Sequence, residues 1–276
     1  MKKIALALVC CIAAAGIHAQ VKMPAPSPTQ TVKQDFALGS IEIKYSRPSA
    51  KGRKIFGDLV PYNKIWRTGA NAATLVKLND AVEIQGKKLD TGSYVLYTIP
   101  GTDSWEIIFN KGLTNWGTDG YKEAEDVLRF KVPSKKLKDK VESFTIDFSD
   151  IKPETCNLNI SWENTEVSIP FTATIKDRIR TQLTEALKAD KKPNWLAAQF
   201  YNEYDNNSAK ALEYATAATV DNPKAYWVWV YKAKLELALG KKADALASSQ
   251  KSMELAKEAK NDDYVKMNEE LQKKLK

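Results

Sequence analysis

The sequence predicts an α+β chain in two parts, an antiparallel β-sandwich followed by an α-helical repeat region. Three observations carry this. Up to residue 172, short runs alternate apolar and polar residues and are broken by Gly and Pro, the pattern of strands joined by turns. Beyond residue 172, apolar residues recur at three- and four-residue spacing, the pattern of helices. Within those helices one stretch repeats another at an offset of 34 residues.

Residues 1–19 stand outside both parts. MKKIALALVCCIAAAGIHA opens on two lysines, runs apolar from Ile4 to Ala15 and closes on a small residue. That is the pattern of a secretory signal cleaved after Ala19, too short for a membrane anchor. Leu8 and Val9, ahead of Cys10 and Cys11, are not the small residues that a lipid-bearing cysteine follows. The expected address is export, to the periplasm or cell envelope of a Gram-negative bacterium, with no membrane span. Residues 20–30, with Pro24, Pro26 and Pro28, read as an extended lead-in.

The sandwich is expected over residues 31–172. Strand patterns fall at 40–45 (SIEIKY), 74–78, 82–85, 93–99 (SYVLYTI), 105–109 (WEIIF), 127–132 and 143–148 (SFTIDF). Pro100-Gly101 and Pro133 punctuate them. Residues 158–162 and 167–171 flank Glu163-Asn164-Thr165-Glu166, which reads as a hairpin. So many short strands in one stretch favour a sandwich or barrel. Cys156, just ahead of an alternating run, reads as a small buried hydrophobe.

A connecting helix is expected within 173–192, where Ile175, Ile179, Leu183 and Leu187 recur every four residues. In 193–276, Ala209-Lys210-Ala211-Leu212 matches Ala243-Asp244-Ala245-Leu246, Trp195 matches Trp229, and Asn206 matches Gly240. Thirty-four residues is the tetratricopeptide period, with two helices per unit, and Pro223 falls where that repeat places a proline. Gln199 departs from the pattern, which prefers a small residue there. A plain helical bundle is the alternative. Residues 264–275 read as a capping helix. Two units and a cap are fewer than a free-standing array needs, so packing on the sandwich or on the connecting helix is expected.

Composition excludes several chemistries. The chain has one histidine, His18, and three cysteines, of which only Cys156 lies beyond the signal. A Ser-His-Asp or Cys-His arrangement then lacks its imidazole. One Cys supplies neither a zinc site nor a disulfide within the chain. No Gly-rich phosphate loop, calcium loop or Gly-x-Ser-x-Gly elbow is present, and Gly117-Thr118-Asp119-Gly120 reads as a turn. No catalytic residue, metal or cofactor is assigned. The net charge of +8 is spread along the chain rather than gathered in a basic stripe, so no nucleic-acid partner is expected.

Residues 45–74 fit neither period, and a long unpatterned segment in a compact domain is often functional. Arg47, Lys51, Arg53, Lys54, Lys64 and Arg67 face a single acid, Asp58, with Tyr45, Phe56, Tyr62 and Trp66 interleaved. Arginine forks suit carboxylate, sulfate or phosphate, and aromatic faces suit sugar rings. The candidate ligand-binding residues are Tyr45, Arg47, Arg53, Trp66, Arg67 and Asn71, with Trp116 from the Gly-rich segment 110–121. The same residues could equally hold the segment on the sheet and plug the end of the sandwich.

YSRPSAKGRKIFGDLVPY, followed by WRTGANAAT, resembles the secreted bacterial family known as domain of unknown function 2911. GKKLDTGSYVLYTIPG, WEIIFNK and VESFTIDF are similar to it as well, and the resemblance covers residues 27–172. It implies a secreted β-rich domain and no established activity. The expected function is that of an exported, non-enzymatic binding or scaffold protein. Its helical tail would take a protein or peptide, and its basic loop an anionic glycan or small anion. The alternatives are a carbohydrate-binding module for anionic glycans and a hydrolase using carboxylate chemistry. The second needs two facing carboxylates where the loop offers one.

Overall fold

The structure, a computed structural model, describes residues 23–275, so the signal read in residues 1–19 lies outside the described residues. Nine strands come first: β1 (Thr29–Phe36), β2 (Gly39–Ser46), β3 (Thr74–Leu78), β4 (Val82–Ile84), β5 (Lys87–Leu89), β6 (Gly92–Ile99), β7 (Ser104–Asn110), β8 (Asp126–Ser149) and β9 (Thr155–Thr172). They form one antiparallel sheet in the order β1-β2-β3-β6-β7-β8-β9-β4-β5. The alternation that predicted them sets their faces. In β2, Ile41, Ile43 and Tyr45 are buried, while Glu42 and Lys44 point outward. The β1 strand escaped the sequence pattern because it lies at the sheet edge and only Val32 and Phe36 of its core-facing side are apolar.

Two expectations are corrected here. The runs at 127–132 and 143–148 belong to one 24-residue strand, β8. Its first part pairs with β7 up to Ser104↔Pro133, and its second part pairs with β9 from Ser134↔Val167. Pro133 lies at the changeover of partners rather than in a turn. The hairpin expected at 163–166 is absent, because β9 runs through it unbroken. Its polar residues face charge instead of forming a turn. Glu163 and Glu166 lie 3.6 and 3.9 Å from Lys140 and Lys135 of β8. The β8–β9 register shifts on both sides of Val141, and Glu163 adopts φ 54° opposite it. Extra residues on one strand bend the pair. The result is one continuous sheet rather than two separate ones, and its two halves share a single core. Ile43, Val76 and Leu96 from one half meet Ile146, Ile160 and Ile169 from the other in that core.

The core closes at one end on aromatic rings. Trp66 stacks on Trp162 with centroids 6.1 Å apart and planes 14° from parallel. Phe56, Trp105 and Phe144 meet Trp66 edge-on at 6.1, 6.1 and 5.2 Å. Offset and edge-on packing is the arrangement aromatic quadrupoles favour. Cys156 is buried, and that burial pushes its thiol up to about 11, as befits a small core hydrophobe.

Six helices follow: α1 (Lys176–Ala186), α2 (Asn194–Glu203), α3 (Ser208–Asp221), α4 (Tyr226–Ala238), α5 (Lys242–Glu258) and α6 (Asp262–Leu275). The chain is thus α+β in two parts. Among the described residues no helix is long and apolar enough to cross a membrane. The helices seat on the sheet through α1 and the end of α2. Ile175 is buried in the sheet core, and Ile179 and Tyr204 pack against it. Arg178 Nη1 donates to both carboxylate oxygens of Asp80, each at 2.8 Å. The α6 helix is held by a buried polar set in which Ser249 donates to Asn268 (2.9 Å) and Asn268 donates to Ser252 (2.9 Å).

Asp205, just after α2, accepts from Arg180 of α1 (2.7 Å) and lies 3.1 Å from Lys176. The hydrogen bond from Arg180 pulls its carboxyl down from 3.8 to about 2. A depressed folded-state pKa contributes stability above the unfolded value and loses it as pH falls through the folded one. Thermal melts are therefore expected to show stability falling between about pH 4 and pH 2. Asp205→Asn should flatten that part of the profile and lower the melting temperature by a few degrees at pH 7.

Candidate functional site

The segment linking β2 to β3 is long but not loose. Its first leg runs along β8: Phe144 N–H donates to Pro48 O (2.9 Å), and Ala50 N–H donates to Glu142 O (2.8 Å). Its second leg extends the ladder of β6, because Trp66 and Thr98 exchange N–H···O bonds of 2.8 and 3.0 Å. Between the legs, Ile55, Phe56 and Val60 are buried. A sharp turn follows Trp66, with Thr68 at φ 55° and Gly69 at φ 148°. A Cβ at Gly69 would come 3.0 Å from Ser46 O, so the close approach there needs glycine. The buried Thr68 hydroxyl donates to Thr98 Oγ1 (3.1 Å), and Thr74 Oγ1 donates to Thr68 O (2.6 Å).

The candidate residues of this segment divide by what they touch. Tyr45, 2% exposed, accepts from Ile146 N–H (2.9 Å) and reaches Gln30 Oε1 (3.0 Å), which ties β2 to both β1 and β8. Burial raises its phenol pKa. Trp66, 9% exposed, lies in the aromatic cluster, with Nε1–H donated to Gly69 O (3.1 Å). Arg47 spends Nε on Phe144 O (3.0 Å) and Nη2 on Thr145 Oγ1 (2.8 Å). Arg53 spends Nε and Nη2 on Ala50 O (3.0 Å) and Ser49 O (2.7 Å). These four residues hold the segment in place.

Arg67 and Asn71 meet each other, and the segment carrying Trp116 approaches Arg67 through Gly117. Arg67 Nη1 donates to Asn71 O (3.2 Å), and Asn71 Nδ2 reaches Ser46 Oγ (3.3 Å). Gly117 lies so close that a Cβ there would come 2.7 Å from Arg67 Nη1. Trp116, beside it, is 64% exposed. Beneath lie Ala73, Val95, Tyr97 and Ile108, and Asn115 Nδ2 donates to Tyr97 OH (3.2 Å). An ion-pair set flanks them. Arg129 meets Glu106 at 2.9 Å and Asp126 at 3.2 Å, and Tyr121 OH donates to Asp126 (2.9 Å). Burial, then the bond to Asp126, pushes Tyr121 up to about 12, and the bond from Arg129 lowers Glu106. Every group of this set thus has its partner inside the chain. Gly117, Thr118 and Gly120 are turn residues, and Asp119 bridges back to Trp116, with its N–H on Trp116 O (3.0 Å). Asp58 is exposed. Among the described residues no group of three or more His, Cys, Asp or Glu side chains could hold a metal ion.

A second candidate lies in the helices. A groove of about 960 Å³ runs between α3, α4 and α5, with Leu212 and Glu213 on one wall, Asp244 and Ala247 on the other, and Trp229, Lys232, Glu236 and Leu239 along its floor. Glu236, 3% exposed, has Oε1 2.7 Å from Lys232 Nζ. The same ammonium donates to Ser248 Oγ (3.0 Å) and sits 5.5 Å from the centroid of the Trp229 ring. Glu236 Oε2 is buried and has no hydrogen-bond partner among the described residues. Sequence reasoning did not single out this pair. The available signal was the spacing of Trp229, Lys232, Glu236 and Leu239, which places two opposite charges on the same face as an aromatic and an aliphatic side chain.

Comparison with known proteins places the strands and leaves the helices apart. A family model described as "Protein of unknown function (DUF2911)" matches residues 27–171, more than half of the chain, and the chain belongs to that family. The match stops at the end of β9 and includes none of the helices. No curated protein and no solved structure matches the chain.

Proposed function

We propose that this member of a family of unknown function is an exported, non-enzymatic binding protein that receives an extended peptide or protein segment in the α3–α4–α5 groove. The single observation that carries the reading is the groove itself, about 960 Å³ and lined by aromatic, aliphatic and charged side chains together. A tetratricopeptide-like pair of units supports it. Ala211 and Ala245, 34 residues apart, are both fully buried, and Asn206 and Gly240 both take positive φ in the turn between the helices of their units. Export rests on the signal pattern of residues 1–19, and the non-enzymatic reading on the lack of histidine beyond His18. The nine-stranded part would act as the platform on which α1 and α2 are seated.

The test is retention of a pooled library of N-acetylated, C-amidated nonapeptides on the immobilised protein. Wild type is expected to retain a subset. Ala247→Trp, which fills the groove from an exposed position, is expected to abolish retention with an unchanged melting temperature. Equal retention by that variant would place the peptide elsewhere.

The exposure of Trp116, next in sequence to the Gly117 that lies against Arg67, favours a second reading, a platform for an anionic glycan. There a polyuronate should quench indole emission in wild type and leave Trp116→Ala unaffected. Quenching that persists in Trp116→Ala would remove this reading.

A further inference from the structure

We infer that Glu236 is the anchor of the helical groove and that it takes a cationic side chain, lysine or arginine, from the bound peptide. The inference rests on the groove reading above and assigns its chemistry. A carboxylate has two oxygens, each able to accept more than one hydrogen bond. Lys232 serves one oxygen of Glu236 at 2.7 Å. A second of its three donors goes to Ser248 at 3.0 Å, and its ammonium lies 5.5 Å from the centroid of the Trp229 ring. Lys232 is drawn toward Oε1, Ser248 and Trp229, and Oε2 has no partner among the described residues although its residue lines the groove. A buried charged acceptor is costly to leave unmatched, and because this oxygen is enclosed, a turn of the Glu236 side chain toward a donor in the groove is what would satisfy it.

Charge selects among donors. The groove carries three acids, Glu213, Glu236 and Asp244, against two bases, Lys232 and Lys241, and Lys232 is already committed. This acidic lining lies within a chain of net charge +8, so it is a local feature and not the general surface. A backbone N–H would fill the geometry of Oε2 and leave the excess negative charge. An ammonium or guanidinium satisfies both, and Leu212 and Leu239 offer apolar surface to its methylene stem.

The experiment uses the whole chain and two peptide pools. Each is a set of N-acetylated, C-amidated nonapeptides with flanks free of Asp, Glu, Lys, Arg and His. One pool has lysine at the centre and the other norleucine, which keeps the stem and removes the charge. Retention of the lysine pool is expected to exceed that of the norleucine pool by about tenfold or more, as a charge-assisted hydrogen bond warrants. Glu236→Gln should bring the two pools together while still retaining the norleucine pool. Equal retention of both pools by wild type would overturn the anchor and leave the groove reading intact. A lysine preference that survives Glu236→Gln would also overturn it. Retention of neither pool would overturn both. The comparison in wild type decides even if the variant melts early.

Discussion

The stack of Trp66 on Trp162 joins the segment between β2 and β3 to the strand that bends through the whole sheet. Much of the β-rich part depends on that contact. The bulge of β8 around Val141 bends the β8–β9 pair, and residues of both halves of the sheet share one core. The segment 47–73 contributes Ile55, Phe56, Val60 and Trp66 to that core. It pairs with β8 through Ala50 and with β6 through Trp66, and it buries Ile55, Phe56 and Val60 between these legs. A 27-residue connection would be mobile if it lay on the surface. Here its backbone polar groups find partners on two strands, and its aromatics find a core.

Within that role two of the basic residues of the stretch have their partners inside the chain. Arg47 and Arg53 direct their forks at carbonyls and a hydroxyl of the chain itself, stitching turns that have few regular ladder bonds. The helices show the opposite disposition. Their turns are tight and their small residues pack closely, yet the groove between α3, α4 and α5 retains a buried carboxylate oxygen without a partner. Buried ionic groups are expensive, and partly satisfied ones more so, which makes such a feature more informative about function than a fully paired arginine.

The sequence disclosed periodicity well and long-range pairing poorly. β2, β3, β6 and β7 lie where their alternation put them, and Ile175, Ile179, Leu183 and Leu187 mark α1. The edge strand β1 stayed hidden because neither of its faces is continuously apolar. Glu163-Asn164-Thr165-Glu166 resembled a turn because local reading registers polarity and cannot see the lysines that oppose it from β8. For the candidate site, residue type was informative and burial was not. Nothing in the local sequence separates Trp66 in the core from Trp116 in solvent, since the difference is set by partners up to 96 residues away, such as Trp162. Glu236 was passed over for the same reason: its isolation depends on where three helices place their side chains.

The most direct measurement of whether the 47–73 segment belongs to the core is urea unfolding of Trp66→Ala beside Trp116→Ala. If the segment closes the core, Trp66→Ala loses about 3–5 kcal/mol of stability, and Trp116→Ala stays within about 0.5 kcal/mol of wild type. A Trp66→Ala protein as stable as wild type would contradict the account and return the segment to the surface as a binding loop.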